Sequence, residues 1–347
     1  MKLICAVGRE GVCILRCFGY DGQVEIPEKI QGKEVREIGA YAFADIVRRR
    51  QSGVKYLVQV REDISGEDAD REAWEWEECQ EDLLDLEALE DGTPVICARN
   101  LQSVSLPEGV RKIGAYAFYL CEKLAKLTVY STIFDLGAGL FTGCSGMREL
   151  DIRMVPEKKS CLKEVLAELR QTLRVKVYDE KGGMQASLIF PEYFEEAIEN
   201  TPARILTQEM HGCGHRYRNA FSGTQLQYPV YDKLFAHIQV QESGELVTEL
   251  ALGRLRFPHQ LGGERRRVYE EYLKEHGREI ISLAFRCREE MTDILTFAGN
   301  ASWCTKKCME AMLDEAGKKG NPLAMGILME LGRRRAEPGG RRKRFVL

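Results

Sequence analysis

The residues best equipped for chemistry lie in one short stretch, His211-Gly-Cys213-Gly-His215. Two imidazoles and a thiolate are ordinary zinc ligands, and a thiol flanked by imidazoles also supplies a nucleophile and a base. Either use needs more than the motif holds. Structural zinc takes four ligands, and no second pair at metal-site spacing accompanies these three. A catalytic thiol needs a third group to orient its base, and the sequence names none. Two other pairs share a face by spacing: Cys13 and Cys17 on an alternating strand pattern, Cys304 and Cys308 on a helical one. Packed thiols are the expectation for these, since free Cys is among the most buried residue types.

The surrounding segment, residues 199–219, is dense in Gly and Arg. Gly amides together with Arg204, Arg216 and Arg218 have the makings of an anion cradle. The segment fits neither the Walker nor the Rossmann fingerprint, both of which need a glycine loop between a strand and a helix. A loop joining two domains is the plainer reading, and no cofactor is expected. A metal- or nucleotide-binding site or an enzyme centred here remains the alternative.

The elements that surround this stretch are set by a repeat. Residues 101–123 read LQSVSLPEGVRKIGAYAFYLCEK and residues 124–146 read LAKLTVYSTIFDLGAGLFTGCSG. Overlaid, Leu101 meets Leu124, Val104 meets Leu127, Ile113 meets Leu136, Gly114 meets Gly137, Phe118 meets Phe141 and Cys121 meets Cys144. A third copy begins with Met147, Leu150 and Ile152. A unit this short cannot bury its apolar face alone and must stack on its neighbours as a solenoid. One short strand per copy is predicted, with Val104, Leu106, Leu127 and Val129 turned inward. Ser103, Ser105, Lys126, Thr128, Tyr130, Glu149, Asp151 and Arg153 then share one outward face, the candidate partner-binding surface. The Gly-x-x-Ala-Phe stretch should turn the chain and send Phe118 or Phe141 into the stack.

The pattern Leu-x-x-Val-x-Leu-Pro-x-x-Val-x-x-Ile-Gly-x-Tyr-Ala-Phe-x-x-Cys resembles the BspA-type (treponemal-type) leucine-rich repeat. Residues 24–43 resemble that family's opening repeat, five residues longer between Pro27 and Ile38. The resemblance covers 23–44 and 101–153. It implies a curved, protein-binding ladder and brings no catalytic residues with it.

Composition bounds the rest. The chain has 347 residues, 44% of them apolar, and a net charge of −4. Residues 61–91 alone carry 15 Asp or Glu against two Arg, so the remainder sums to +9. No apolar run approaches the roughly 18–20 residues that span a bilayer. The N-terminal apolar run is shorter than the ~7–15 residues of a signal-peptide core. Twelve scattered cysteines fit a reducing compartment better than a disulfide framework. A cytoplasmic protein is expected.

Six regions follow: an N-terminal cap and first repeat (1–44), an acidic insertion (45–100), the repeats (101–155), a helix-hairpin cap and linker (156–224), a helical domain (225–335) and a basic tail (336–347). Residues 54–60 suit a strand, and 68–89 an acidic helix or loop, which is either a solvated insertion or a docking segment for a basic partner. Residues 160–173 suit an amphipathic helix, 174–178 and 184–190 a hairpin, and residues from 191 another helix. Beyond 226, apolar spacing predicts helices at 231–239, 246–255, 264–276, 279–298, 304–318 and 322–335. Ile294-Leu295 recurs as Ile327-Leu328 at 33 residues, an ankyrin-like spacing without the Thr-Pro-Leu-His signature; a generic bundle is the alternative. The fold class is therefore α+β, a short leucine-rich solenoid with a β-rich cap followed by an ankyrin-like or bundled helical domain. The function expected is a non-enzymatic adaptor with a protein partner. The basic tail reads as a solvated end or a partner for the acidic insertion, in preference to a nucleic-acid or membrane-surface contact.

Overall fold

Alternating apolar residues build the stack. Val104, Leu127, Val129, Leu150 and Ile152 are all buried, while their strand neighbours except Asp151 keep contact with solvent. The structure, a computed structural model, describes residues 1–45, 54–60, 74–80, 83–84, 87–200 and 205–336. The chain divides into two compact units, Met1–Gln185 with Phe190–Gln227, and Ala186–Ile189 with Tyr228–Leu347.

The first unit is a β-solenoid. One sheet, here the ladder sheet, runs in parallel through Gln23–Glu25, Ser103–Ser105, Lys126–Tyr130, Glu149–Arg153 and Leu173–Tyr178. Each full coil also adds a second strand, which the sequence did not announce. Lys33–Ile38, Lys112–Ile113 and Asp135–Leu136 pair in parallel in a second sheet. That sheet continues through Val12–Phe18, Lys2–Val7, Lys55–Val60 and Trp74–Cys79. The extra residues of the first repeat form a tight hairpin between Lys29–Ile30 and Lys33–Ile38. Gln31 (φ 47°) and Gly32 (φ 74°) make its turn, as the twist of a two-residue hairpin demands.

The turns between coils carry the aromatic layer. Phe118 lies between Phe43 and Phe141, with ring centroids 5.3 and 5.7 Å away and near-parallel planes. The coils approach closely at Gly114 and Gly137, where a Cβ would lie 2.4 and 2.1 Å from the Ala40 and Ala115 nitrogens of the preceding coil. Two residues further on, Tyr41, Tyr116 and Gly139 all hold positive φ (60°, 57° and 66°), so the repeat conserves a left-handed conformation more strictly than a residue type.

At the turns, both ends of the stack are met by side chains of the required polarity. Along the turns, Tyr41, Phe43, Tyr116 and Phe118 donate N–H groups to carbonyls of the following coil. The first coil therefore leaves carbonyls unmet, and buried Arg16 donates to those of Tyr41, Ala42 and Ala44 as well as Leu84. The last coil leaves an N–H unmet, and the Glu168 carboxylate accepts it from Phe141 at 2.9 Å. Glu168 ends the Leu162–Glu168 helix, whose Leu162, Val165 and Leu166 are buried.

The segment from 45 to 100 does not break the stack, because Gln23–Glu25 pairs directly with Ser103–Ser105. Its two ends are tied at Asp45, which accepts from the Cys97 thiol at 2.8 Å and pairs with Arg99 at 3.1 Å. Leu84, Leu89, Val95 and Cys97 cover the outer face of the first hairpin, packing with Ile4, Leu15 and Phe18. The expectation of an acidic helix or loop is corrected at Trp74–Cys79, a strand paired with Lys55–Val60. There the Trp-Glu-Trp-Glu alternation has period two, and pairing outweighs the helix propensity of Glu. Residues 61–73, 81–82, 85–86, Arg204 and residues 337–347 of the basic tail lie outside the described residues. The helix expected from residue 191 is likewise a strand, Phe194–Asn200, held antiparallel by Ile205–His211.

The second unit is helical: Tyr228–Lys233, Phe235–Gln241, Gly244–Arg256, Gly263–Lys274, Gly277–Arg286, Met291–Asn300, Lys306–Lys318 and Pro322–Ala336. The single helix expected over 279–298 is two, parted by a 3-10 turn at Arg288–Glu290. No Gly or Pro marks that break; folding back lets Ile280, Ile281, Ile294 and Leu295 all be buried. Asp232, Arg254 and Tyr269 form a buried knot among three of these helices. The carboxylate takes both Arg254 Nε (2.8 Å) and Nη2 (2.9 Å) and the Tyr269 hydroxyl (2.8 Å). Tyr231 Oη bridges the Ile189 backbone, donating to its carbonyl and accepting from its N–H at 2.8 Å each.

Candidate interaction surface

Register turns the outward residues of the ladder sheet into rows. One row is Gln23, Ser103, Lys126, Glu149 and Arg174; the next is Glu25, Ser105, Thr128, Asp151 and Lys176; a third is Tyr130, Arg153 and Tyr178. Ser103, Ser105, Lys126, Thr128, Tyr130, Glu149, Asp151 and Arg153 thus share one face. Gln23, Glu25, Arg174, Lys176 and Tyr178 extend it on both sides. Sequence reasoning missed these because they lie beyond the clear repeats. The signal was present in the period-two run Leu173-Arg-Val-Lys-Val-Tyr178, whose alternate residues are buried.

Side chains interact both between these rows and within them. Lys126 Nζ meets Asp151 at 2.9 Å. Burial opposes the Lys126 charge, but the hydrogen bond and charge of Asp151 outweigh it, and the net pKa is raised. Lys126 is therefore not the free surface cation that its position in the sequence implies. Asp151 is only 7% exposed, and its second oxygen is buried without a hydrogen-bond partner. The Arg153 guanidinium sits 5.7 Å from the Tyr130 ring centre and donates to its hydroxyl at 3.4 Å.

The His211–His215 motif scatters. His211 stacks on Phe194 with centroids 4.6 Å apart, its Nε2 lying 3.1 Å from the Glu196 carboxylate. Cys213 is fully buried, and His215 Nδ1 faces the Gly212 carbonyl at 3.3 Å. Among the described residues, no three His, Cys, Asp or Glu side chains converge in a way that could hold a metal ion. The anion cradle loses its central member. Arg218 is buried, and its guanidinium donates to the carbonyls of Leu169 (3.0 Å), Gln171 (2.8 Å), Gly214 (3.1 Å) and Pro191. Burial lowers its pKa to about 10, which leaves it charged at neutral pH. Arg218 is a structural clasp, and Gly214 admits it by offering no Cβ.

Of the two cysteine pairs, Cys13 and Cys17 divide, whereas the Cys304 and Cys308 thiols meet in a hydrogen bond. A register shift at Ile4/Cys5 breaks the alternation, so Cys13 packs against the outer cluster while Cys17 pairs opposite Leu3. Cys308 is on the Lys306–Lys318 helix and Cys304 precedes its cap, Thr305, whose hydroxyl accepts the Cys308 N–H.

A stack of short strands with inward Leu, Val and Ile, coil-closing Phe residues and an outward polar face is a leucine-rich-repeat solenoid. Its repeat region is BspA-type: residues 96–164 match the family described as BspA type leucine rich repeat region (6 copies). No curated protein and no solved structure matches the chain. No helix among the described residues is long and apolar enough to cross a membrane.

Proposed function

We propose that the chain is a non-enzymatic interaction adaptor that holds a protein partner on the outward face of its ladder sheet. The carrying observation is the Tyr130–Arg153–Tyr178 row: two tyrosines and an arginine on a rigid sheet, the side-chain types that dominate binding energy at protein interfaces. The leucine-rich family supports this reading, since such repeats serve protein interaction. The alternative centred on 199–219 is weakened because Arg218 has spent its donors on backbone carbonyls. We place the chain in the cytoplasm, because all twelve cysteines are free thiols. The paired helices of the second unit, with Leu331 packed against Gly299, support an ankyrin-like stacking that adds a second surface.

The test replaces Tyr130, Arg153 and Tyr178 by Ala and leaves Lys126 in place, so that Asp151 keeps its ion pair. A partner first captured by the natural chain should dissociate from the variant while the melting temperature stays unchanged. Undiminished capture of that partner by the variant would sink the proposal.

A further inference from the structure

The second sheet ends on an unanswered ladder. Within it, each coil donates N–H groups to carbonyls of the coil before. Arg111 donates to Arg36 (2.8 Å) and Phe134 to Arg111 (3.1 Å); Gly114 donates to Ile38 (2.7 Å) and Gly137 to Ile113 (2.8 Å). The next acceptors in this series are the carbonyls of Phe134 and Leu136. Asp135–Leu136 is the terminal strand, because the coil after it contributes the Leu162–Glu168 helix in place of a strand. Between that edge and that helix lies a groove of about 470 Å³, lined by Leu136, Leu140 and Val165 and walled by Asp135 and Glu164. Phe134 stands at its edge, 80% exposed. Lys159 is the one cation among its lining residues, while Glu168 is committed to the Phe141 N–H.

We propose that this groove takes an extended, positively charged polypeptide segment as an added strand. Its N–H groups donate to the Phe134 and Leu136 carbonyls, its basic side chains meet Asp135 and Glu164, and its apolar side chains cover Phe134 and Leu136. Strand addition of this kind draws affinity from main-chain hydrogen bonds and specificity from alternate side chains. Acid on both walls selects a basic segment over an acidic one. The surface is distinct from the outward face of the ladder sheet, and its test stands apart from that proposal.

The experiment measures fluorescence anisotropy of labelled peptides on the full-length chain. The probes are an alternating Lys-Val octapeptide, its Glu-Val counterpart, and the Lys-Val peptide methylated at alternate backbone nitrogens. The Lys-Val peptide should bind about tenfold or more tightly than either control, the loss expected for a missing hydrogen bond or an inverted charge. Asp135→Lys with Glu164→Lys should abolish that preference at an unchanged melting temperature. Three results each overturn the proposal: no binding of the Lys-Val peptide, equal binding of the methylated peptide, or full binding to the double variant. The last would move the contact to the acidic 61–91 stretch.

Discussion

Phe118 fills the middle of a three-ring layer, so truncation to Ala empties a site that neither neighbouring coil can collapse into. A loss of about 3–5 kcal/mol is expected, read as a shifted denaturation midpoint. Lys126 looks like a dispensable surface residue by comparison, yet it holds one oxygen of a buried carboxylate whose other oxygen has no partner. Lys126→Ala should therefore cost about 1–3 kcal/mol, and Asp151→Asn added to it should restore part of the loss, because a neutral amide is cheaper to bury than an unpaired charge. No loss on Lys126→Ala, or no recovery when Asp151→Asn is added, would remove the pair from the account. In the helical unit the Asp232–Arg254 pair is almost completely buried (1% and 0% exposed side chains). Asp232→Ala strands the guanidinium and should cost about 3–5 kcal/mol, measured as an early melting transition.

Glu168 and Arg16 do for this array what a further coil would do. Glu168→Gln keeps an acceptor for the Phe141 N–H, whereas Glu168→Ala leaves that group with none. The Ala variant should speed hydrogen exchange at Phe141, and the Gln variant should keep most of the protection. Caps of this kind explain what could be read from the amino-acid order and what could not. Inward strand positions, the Phe layer and the close-approach glycines all recur at 23 residues, so periodicity exposes them. Arg16 and Glu168 occur once each, far from the groups they satisfy, and no local pattern marks a capping side chain. The same holds for Arg218, whose Gly-rich surroundings suggested anion binding until its four carbonyl partners were in place. Strands stand in place of the expected helix or loop at 74–79 and of the expected helix at 194–200, where a Glu-rich stretch gains its conformation from an antiparallel neighbour. The outward face was legible over three strands and illegible over its flanks, where residues supply strands without the repeat signature.

Across the molecule, the buried thiols make stability depend on alkali. Burial pushes Cys5, Cys17, Cys144 and Cys161 up to about 12 from an ordinary value of 9.0. A raised folded-state pKa favours the neutral thiol, so this contribution is fully present below about pH 9 and declines as pH rises from there toward 12. Denaturation midpoints should fall over that window, and Cys144→Ala should shallow the fall. The segment around 83–97 is also more than decoration, since Leu84, Leu89, Val95 and Cys97 complete a core with Ile4, Leu15 and Phe18. The constant sense of bonding within each ladder of the coils has a further result for how such a chain changes over generations. A duplication of residues 101–123, placed ahead of residue 124, would meet donors and acceptors of the right sense on both sides. It would leave Arg16 and Glu168 at their posts and widen the ladder sheet by about 4.8 Å, one strand spacing. Reach, in this architecture, is a heritable quantity that comes in whole coils.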